Sequence, residues 1–466
     1  MADCCDDFTR SHLVRGSIAR AGAGLPLIES GMPVPAGTGL TRRSLVLRSA
    51  GLAMTIYGAG RTLTPQAFEA AVAEAAGDHK VLVSIFMDGG ADALSLLAPV
   101  FDSNYVSQRP SLRMAPGAGP AFGGDPRLQW HPSAQGLKDL WDADGVGIAV
   151  APAIGYDAPN QSHFTSRHFW EVGATDPNAT TGWLGRYLDR VGSPKVPIQG
   201  LSLDNSLSPQ LATASVAVAA TDNIGGYQFQ MTNVWGAMQT RMRTGYAQLG
   251  ACNSADPITA QARQAQANAA QLSTDLASVG SGAAPAGANY PAASSNFKTR
   301  LQAVARLLAT TTPAGDHLPV RCVTLSAQGG YDTHSNQAQE LSDNLLSTAA
   351  NLRAFWKDLE LRGLGDRVVI TLWSEFGRRL AENGSGTDHG AAGAAFVIGK
   401  DVRQGVIGEF PGLASSAGGG LDSAGNLRAT SDFRGLYCSL LEQWFQTPAA
   451  GIIPSEGSFA RYQLLA

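Results

Sequence analysis

The feature that most constrains this chain is a short apolar run closed by glycine and acidic residues, which recurs along it. KVLVSIFMDGGAD, from Lys80 to Asp92, is the clearest instance. A continuous run of strand length without polar alternation reads as a strand covered on both faces, the setting of a parallel strand in an α/β protein. GVGIAVAPAIG, RCVTLSAQGG, RVVITLWSEFG and AAFVIGK repeat the pattern. Helical patterns separate most of them, notably NQAQELSDNLLSTAANLRAFWKDLELRG. This alternation predicts an α/β fold with a parallel or mostly parallel sheet. Ligands in such folds bind at the carboxyl ends of the strands, where this sequence collects its acidic and histidine residues.

The 466 residues, 44% hydrophobic and 15% charged, supply a sizeable core and exclude a wholly disordered chain. A formal charge of -4 with scattered arginines leaves no basic footprint, so nucleic acid is not an expected partner. Cys4 and Cys5 are adjacent, while Cys252, Cys322 and Cys438 lie far apart, and no zinc spacing or disulfide framework follows from them. Cys322 and Cys438 sit in apolar patterns and read as buried small hydrophobes.

Near the N-terminus, TRRSLVLRSAGLAMTIYGAG places Arg42 and Arg43 ahead of a weakly hydrophobic stretch from Ser49 to Gly60. The stretch falls short of the roughly 20 apolar residues that span a bilayer. It resembles a twin-arginine export signal, which implies passage through the twin-arginine translocase and a periplasmic or secreted protein; a basic amphipathic helix is the alternative. Residues 1–79 are therefore assigned to an N-terminal extension and signal region, and residues 80–466 to the α/β domain. From about residue 227 to 312 the chain turns to polar helix and a Gly/Ala/Pro/Ser-rich connector, read as a helical and linker insertion. No later segment reads as a stable membrane span.

Four clusters carry chemistry: Asp88 in FMDGGAD, Asp332 and His334 in GGYDTHSNQ, Glu375 in LWSEFGRR, and Asp388 with His389 in NGSGTDHG. Carboxylate oxygen with imidazole suits zinc, manganese or similar divalent ions. Singly, each cluster reads equally as a turn or cap, and Asp332 is a candidate N-cap. A fifth segment, NQSHFTSRHFWEVG, adds Ser162, His163, Thr165 and His168. A hydroxyl beside a metal is a candidate nucleophile, although this segment equally starts an amphipathic helix.

In order, the twin-arginine leader, MDGGAD, the SHF segment, GGYDTHSNQ, SEFGRR and NGSGTDHG closely resemble the bacterial family catalogued as domain of unknown function 1501, over essentially the whole chain from Val81 onward. That family looks like a branch of the alkaline phosphatase and sulfatase superfamily. The resemblance implies a three-layer α/β/α sandwich, alkaline-phosphatase-like, with metal-dependent phospho- or sulfo-hydrolase activity. It assigns Asp88, Asp332, His334 and His389 as metal ligands. Where the superfamily has Asp-His, this chain has Glu375 followed by Phe376, and Asp388 or His163 is left to replace the histidine. Asp332 and His334 are separated by one residue, where the superfamily pattern commonly has three.

The resulting expectation is a hydrolase of a small anionic phosphate or sulfate ester. It would use one or two divalent ions (zinc, manganese or calcium) on Asp88, Asp332, His334, Glu375, Asp388, His389 and His163. Ser162, Thr165 or water would attack, and Arg378 or Arg379 would stabilise charge or equally serve the structure by pairing with a carboxylate. The alternative is a non-catalytic exported binding or assembly protein that keeps the fold.

Overall fold

The computed structural model describes residues 54–57 and 75–466, apart from 194–195, 205, 225–234, 257–258, 313, 417 and scattered positions between 261 and 281. The expected export motif at Arg42 and Arg43 lies outside the described residues, as do Cys4 and Cys5.

Ten strands form the central sheet: β1 (Met54–Tyr57), β2 (Val81–Phe86), β3 (Gly147–Gly155), β4 (Gly200–Ser202), β5 (Val218–Thr221), β6 (Cys322–Ser326), β7 (Val368–Trp373), β8 (Gly393–Gly399), β9 (Gly405–Val406) and β10 (Ser431–Asp432). Their spatial order is β1-β5-β4-β6-β2-β7-β8-β3-β9, with β10 also paired to β3. All pairings are parallel except β1 with β5 and β8 with both its neighbours. The five apolar runs read from the sequence are β2, β3, β6, β7 and β8, and the expected mostly parallel sheet is present.

Both faces of the sheet are covered. Val81, Val83 and Ile85 of β2, with Ile370 and Leu372 of β7, join one core cluster. Helices α1 (Gln135–Asp142), α4 (Asn296–Ala309) and α5 (Gln337–Leu361) complete that side through Leu137, Leu301 and Leu352. Leu82, Phe86, Val369 and Trp373 point the other way. There they meet α2 (His163–Val172), α3 (Trp183–Val191) and α6 (Phe433–Ser439) through Trp170, Leu188 and Phe433. Side chains alternate between faces along a strand, so a strand buried on both sides must be apolar throughout. The result is a three-layer α/β/α sandwich.

Within the stretch at 227–312, helix Gly236–Gly250 is largely exposed, whereas α4 buries Phe297, Leu301, Val304 and Leu307 in the core. Cys322 and Cys438 are buried and Cys252 is exposed. No helix among the described residues is long and apolar enough to cross a membrane.

The topology creates one crowded edge. Phe86, Ser326 and Trp373 stand in register at the carboxyl ends of β2, β6 and β7, so their loops emerge side by side. β8 runs antiparallel and therefore begins at this same edge, which brings His389, four residues before it, into the group.

Candidate metal centre

The loop after β2 is shaped by two glycines. Gly89 has φ +113 and Gly90 has φ +75, a region that side chains rarely enter. A Cβ on Gly89 would fall 2.3 Å from the Asp332 backbone nitrogen, and one on Gly90 would strike the Phe376 ring at 2.3 Å. The glycines of MDGGAD thus let two loops close on each other, and the Tyr331 N–H donates to the Asp88 carbonyl at 2.7 Å.

Their adjacent amides hold Glu375, which has no exposed surface. Gly89 N–H donates to Oε1 and Gly90 N–H to Oε2, each at 3.0 Å, and the Ser374 hydroxyl lies 3.0 Å from Oε2 and 2.7 Å from the Met87 carbonyl. His163, the first residue of α2, brings Nδ1 to 2.7 Å from Oε1 of the same carboxylate. Ser166 anchors that helix end by donating its hydroxyl to the Glu375 carbonyl at 2.6 Å, and the Tyr156 hydroxyl donates to Ser166 at 3.0 Å.

Three imidazoles converge on Asp332. Its oxygens lie 3.4 Å from Nε2 of His163, 3.0 Å from Nε2 of His334 and 3.2 Å from Nε2 of His389. Each ring turns Nδ1 toward an oxygen: Glu375 for His163, the Gln161 carbonyl at 2.8 Å for His389, and Asp388 Oδ1 at 3.6 Å for His334. A neutral ring that donates from Nδ1 carries its lone pair on Nε2. The Nε2 atoms of His334 and His389 are only 2.9 Å apart, a spacing at which two lone pairs repel unless a proton or cation lies between them. His163 Nε2 is buried without a hydrogen-bond partner among the described residues. Ligand atoms of His163, Asp332 and His389 all lie within 4.8 Å of one another.

Arg378 secures the carboxylate. Nη2 donates to Asp332 Oδ1 at 2.7 Å and also faces the Gly89 and Tyr331 carbonyls, while Nε and Nη1 of the buried guanidinium donate to the carbonyls of Gly90 and Thr387. Burial works to raise the Asp332 pKa, but the Arg378 bond and the nearby imidazoles hold it at about 2. Burial lowers the pKa of His389. In His163 burial acts in the same direction, but the bond and charge of Glu375 outweigh it and the pKa is raised.

The remaining sequence candidates stand around this group. Asp88 is exposed, with Arg167 Nη1 at 3.9 Å, and burial of its surroundings raises its pKa despite that cation. Asp388 accepts from Asn383 Nδ2 at 2.8 Å, a bond that lowers its pKa. Ser162 precedes α2 without capping it, and its Oγ is buried with no hydrogen-bond partner among the described residues. Thr165 is buried in the first turn of α2. Asp332 does not cap α5, a position that Asn336 takes in a left-handed conformation. Sequence reasoning missed Ser166, Arg167 and the Gln161 carbonyl. The spacing of His163 and Arg167, one helical turn apart, was the available signal for Arg167.

Comparison with solved structures gives distant likenesses. The C-terminal periplasmic domain of EcEptC from Escherichia coli, in complex with Zn, is 9% identical at a TM-score of 0.32, covering 79% of this chain and 83% of that one. A protein in the alkaline phosphatase superfamily from Vibrio parahaemolyticus is 9% identical at 0.31, covering 86% and 75%. The phosphonate monoester hydrolase of Agrobacterium radiobacter is 10% identical at 0.26, covering 79% and 74%. Likeness at this level says nothing of the chemistry at this site. No curated protein matches the chain. Residues 145–433 match the family model described as "Protein of unknown function (DUF1501)". That match spans more than half of the sequence and takes in every element of the histidine cluster, so the chain belongs to the DUF1501 family.

Proposed function

We propose that this protein is an exported, metal-dependent hydrolase of a phosphate or sulfate ester, with His163, His334, His389 and Asp332 as the metal-holding set. The observation that carries this reading is the convergence of three Nε2 atoms on one carboxylate, with the His163 and His389 rings hydrogen-bonded at Nδ1 to an oxygen and Asp388 3.6 Å from Nδ1 of His334. Metal-binding histidines are oriented in this way. Imidazole-rich donors favour zinc or a neighbouring transition ion over calcium, which takes oxygen ligands. A bound ion of this kind supplies Lewis acidity and lowers the pKa of water.

The chain's own residues do the remainder. Asp332, kept ionised by Arg378, offsets the cation's charge. Ser162, with its unspent hydroxyl beside His163, and Thr165 are the candidate nucleophiles. Arg167, with its Nε bound to Glu171 at 2.9 Å and its side chain partly exposed, is the cation placed to meet an anionic oxygen of the ester. The burial of Arg378, each of whose nitrogens already donates within the protein, favours a second reading, a binding protein that holds metal without turnover, because this arginine is enclosed away from where an ester would sit.

Elemental analysis of protein purified without a histidine tag, followed by assay on aryl phosphates and aryl sulfates, tests both. Bound transition metal with turnover supports the hydrolase. Bound metal without turnover of any ester selects the binding protein. Wild-type protein that stays empty when offered zinc, manganese and iron overturns the centre.

A further inference from the structure

We infer that Glu375 is a positioning residue that fixes the tautomer of His163, not a metal ligand, and that the centre takes a single ion. This rests on the metal-centre reading above and departs from the ligand role that resemblance to the superfamily implies for this position. The carboxylate is fully buried and both its oxygens are engaged by donors from the protein. Oε1 accepts from Gly89 N–H and His163 Nδ1, and Oε2 accepts from Gly90 N–H with a longer contact of 3.3 Å to Gly89, while the Ser374 hydroxyl, 3.0 Å from Oε2, shares its one proton with the Met87 carbonyl at 2.7 Å. A carboxylate offers about four lone-pair sites, so ligation would require Glu375 to abandon amides that have no other acceptor among the described residues.

Those amides explain why a glutamate rather than a neutral residue sits here. Consecutive N–H groups of a loop in positive φ form a small anion-binding concavity, and Glu375 fills it from within the chain. A carboxylate held there presents only acceptor atoms to His163. It therefore keeps the proton on Nδ1 and leaves the lone pair on Nε2, the atom that is buried, unpartnered and 3.4 Å from Asp332. Of the other carboxylates, Asp88 points to solvent toward Arg167, and Asp388 lies on the Nδ1 side of His334, where it accepts from Asn383. Among the described residues, the one ligand group consists of His163, Asp332 and His389, with His334 at its edge.

The experiment uses full-length protein labelled with nitrogen-15 at histidine. Long-range proton–nitrogen correlation on metal-free protein, at one alkaline pH where the ring is neutral, reads the His163 tautomer, assigned by loss of its signals in His163→Gln. Zinc titration with elemental analysis then gives stoichiometry and affinity for wild type and Glu375→Gln. The expected result is the Nδ1–H tautomer and one equivalent of zinc in the wild type. Glu375→Gln should still bind one equivalent, about 10–100-fold more weakly, with the tautomer preference lost. An Nε2–H tautomer in the wild type, or two equivalents falling to one in Glu375→Gln, overturns the inference. If Glu375→Gln does not fold, the wild-type tautomer and stoichiometry still decide. Wild-type protein that takes up no zinc overturns the metal centre, while the tautomer still reports separately on Glu375.

Discussion

Gly89 shows how narrow the tolerance of the centre is. Its positive φ and the 2.3 Å that separates a would-be Cβ from the Asp332 amide mean that Gly89→Ala is strained in backbone and packing together. A loss of about 1–3 kcal/mol is expected from the backbone alone, read by urea unfolding. Metal content should fall with it, because the loop that is pushed away carries Asp332. Asp92, four residues after Asp88, is a contrasting carboxylate: fully buried, it pairs with Arg109 at 2.6 Å and accepts from Ser95 and Gln337. Burial pushes its pKa up, but Arg109 and the hydrogen bonds more than reverse this, so it lies below the ordinary value. A carboxyl depressed in the folded state contributes stability above its unfolded pKa of about 4, and that contribution is lost as pH falls through the folded value. Asp92→Ala should cost about 3–5 kcal/mol at neutral pH by stranding Arg109, and the gap to wild type should narrow in acid. Chemical denaturation at neutral and acidic pH checks both the magnitude and the sign.

At the scale of elements, α2 and the strand that follows His389 matter most. α2 is held from two sides: Trp170 stacks on Trp373 with centroids 5.3 Å apart and on Phe433 at 4.7 Å, and Ser166 ties the helix start to Glu375. Trp170→Ala should therefore cost about 3–5 kcal/mol in denaturant melts. Ser166→Ala removes two hydrogen bonds, to the Glu375 carbonyl and from Tyr156, worth about 1 kcal/mol each, yet it frees the end that carries His163. A drop in zinc affinity larger than the drop in stability is the expected outcome. Equal, small changes in both would show that Ser166 does not set the position of His163.

For the whole molecule, the histidine cluster joins segments from across the chain: α2 after β3, the loop after β6, and the hairpin Arg378–Glu382 with Thr387–His389 ahead of β8. An ion that binds only when these segments are together stabilises the fold by mass action. Zinc at 100 times its dissociation constant should add about 2.7 kcal/mol, and chelation should remove it. Thermal unfolding with zinc and with chelator measures this. His389→Ala should abolish the difference, and a zinc-dependent shift that survives in that variant would place the ion elsewhere.

The sequence by itself determined the layers and the edge. Uninterrupted apolar runs can be satisfied only by strands covered on both faces, and β2, β3, β6, β7 and β8 are those runs. The short strands β4, β9 and β10, of two or three residues, carry too little pattern to be read, and their pairing comes from neighbours already in place. The acidic and histidine residues could be placed at strand ends, but their division of labour could not. His163 and His389 are separated by more than two hundred positions, and the antiparallel course of β8 is what brings the latter to the carboxyl edge. Glu375 and Arg378 read as candidates for ligand and charge stabiliser because their chemistry allows it. Only the tertiary structure turns them inward, since a hydrogen bond depends on which backbone amides and carbonyls the loops present, and that is fixed by how the loops pack together.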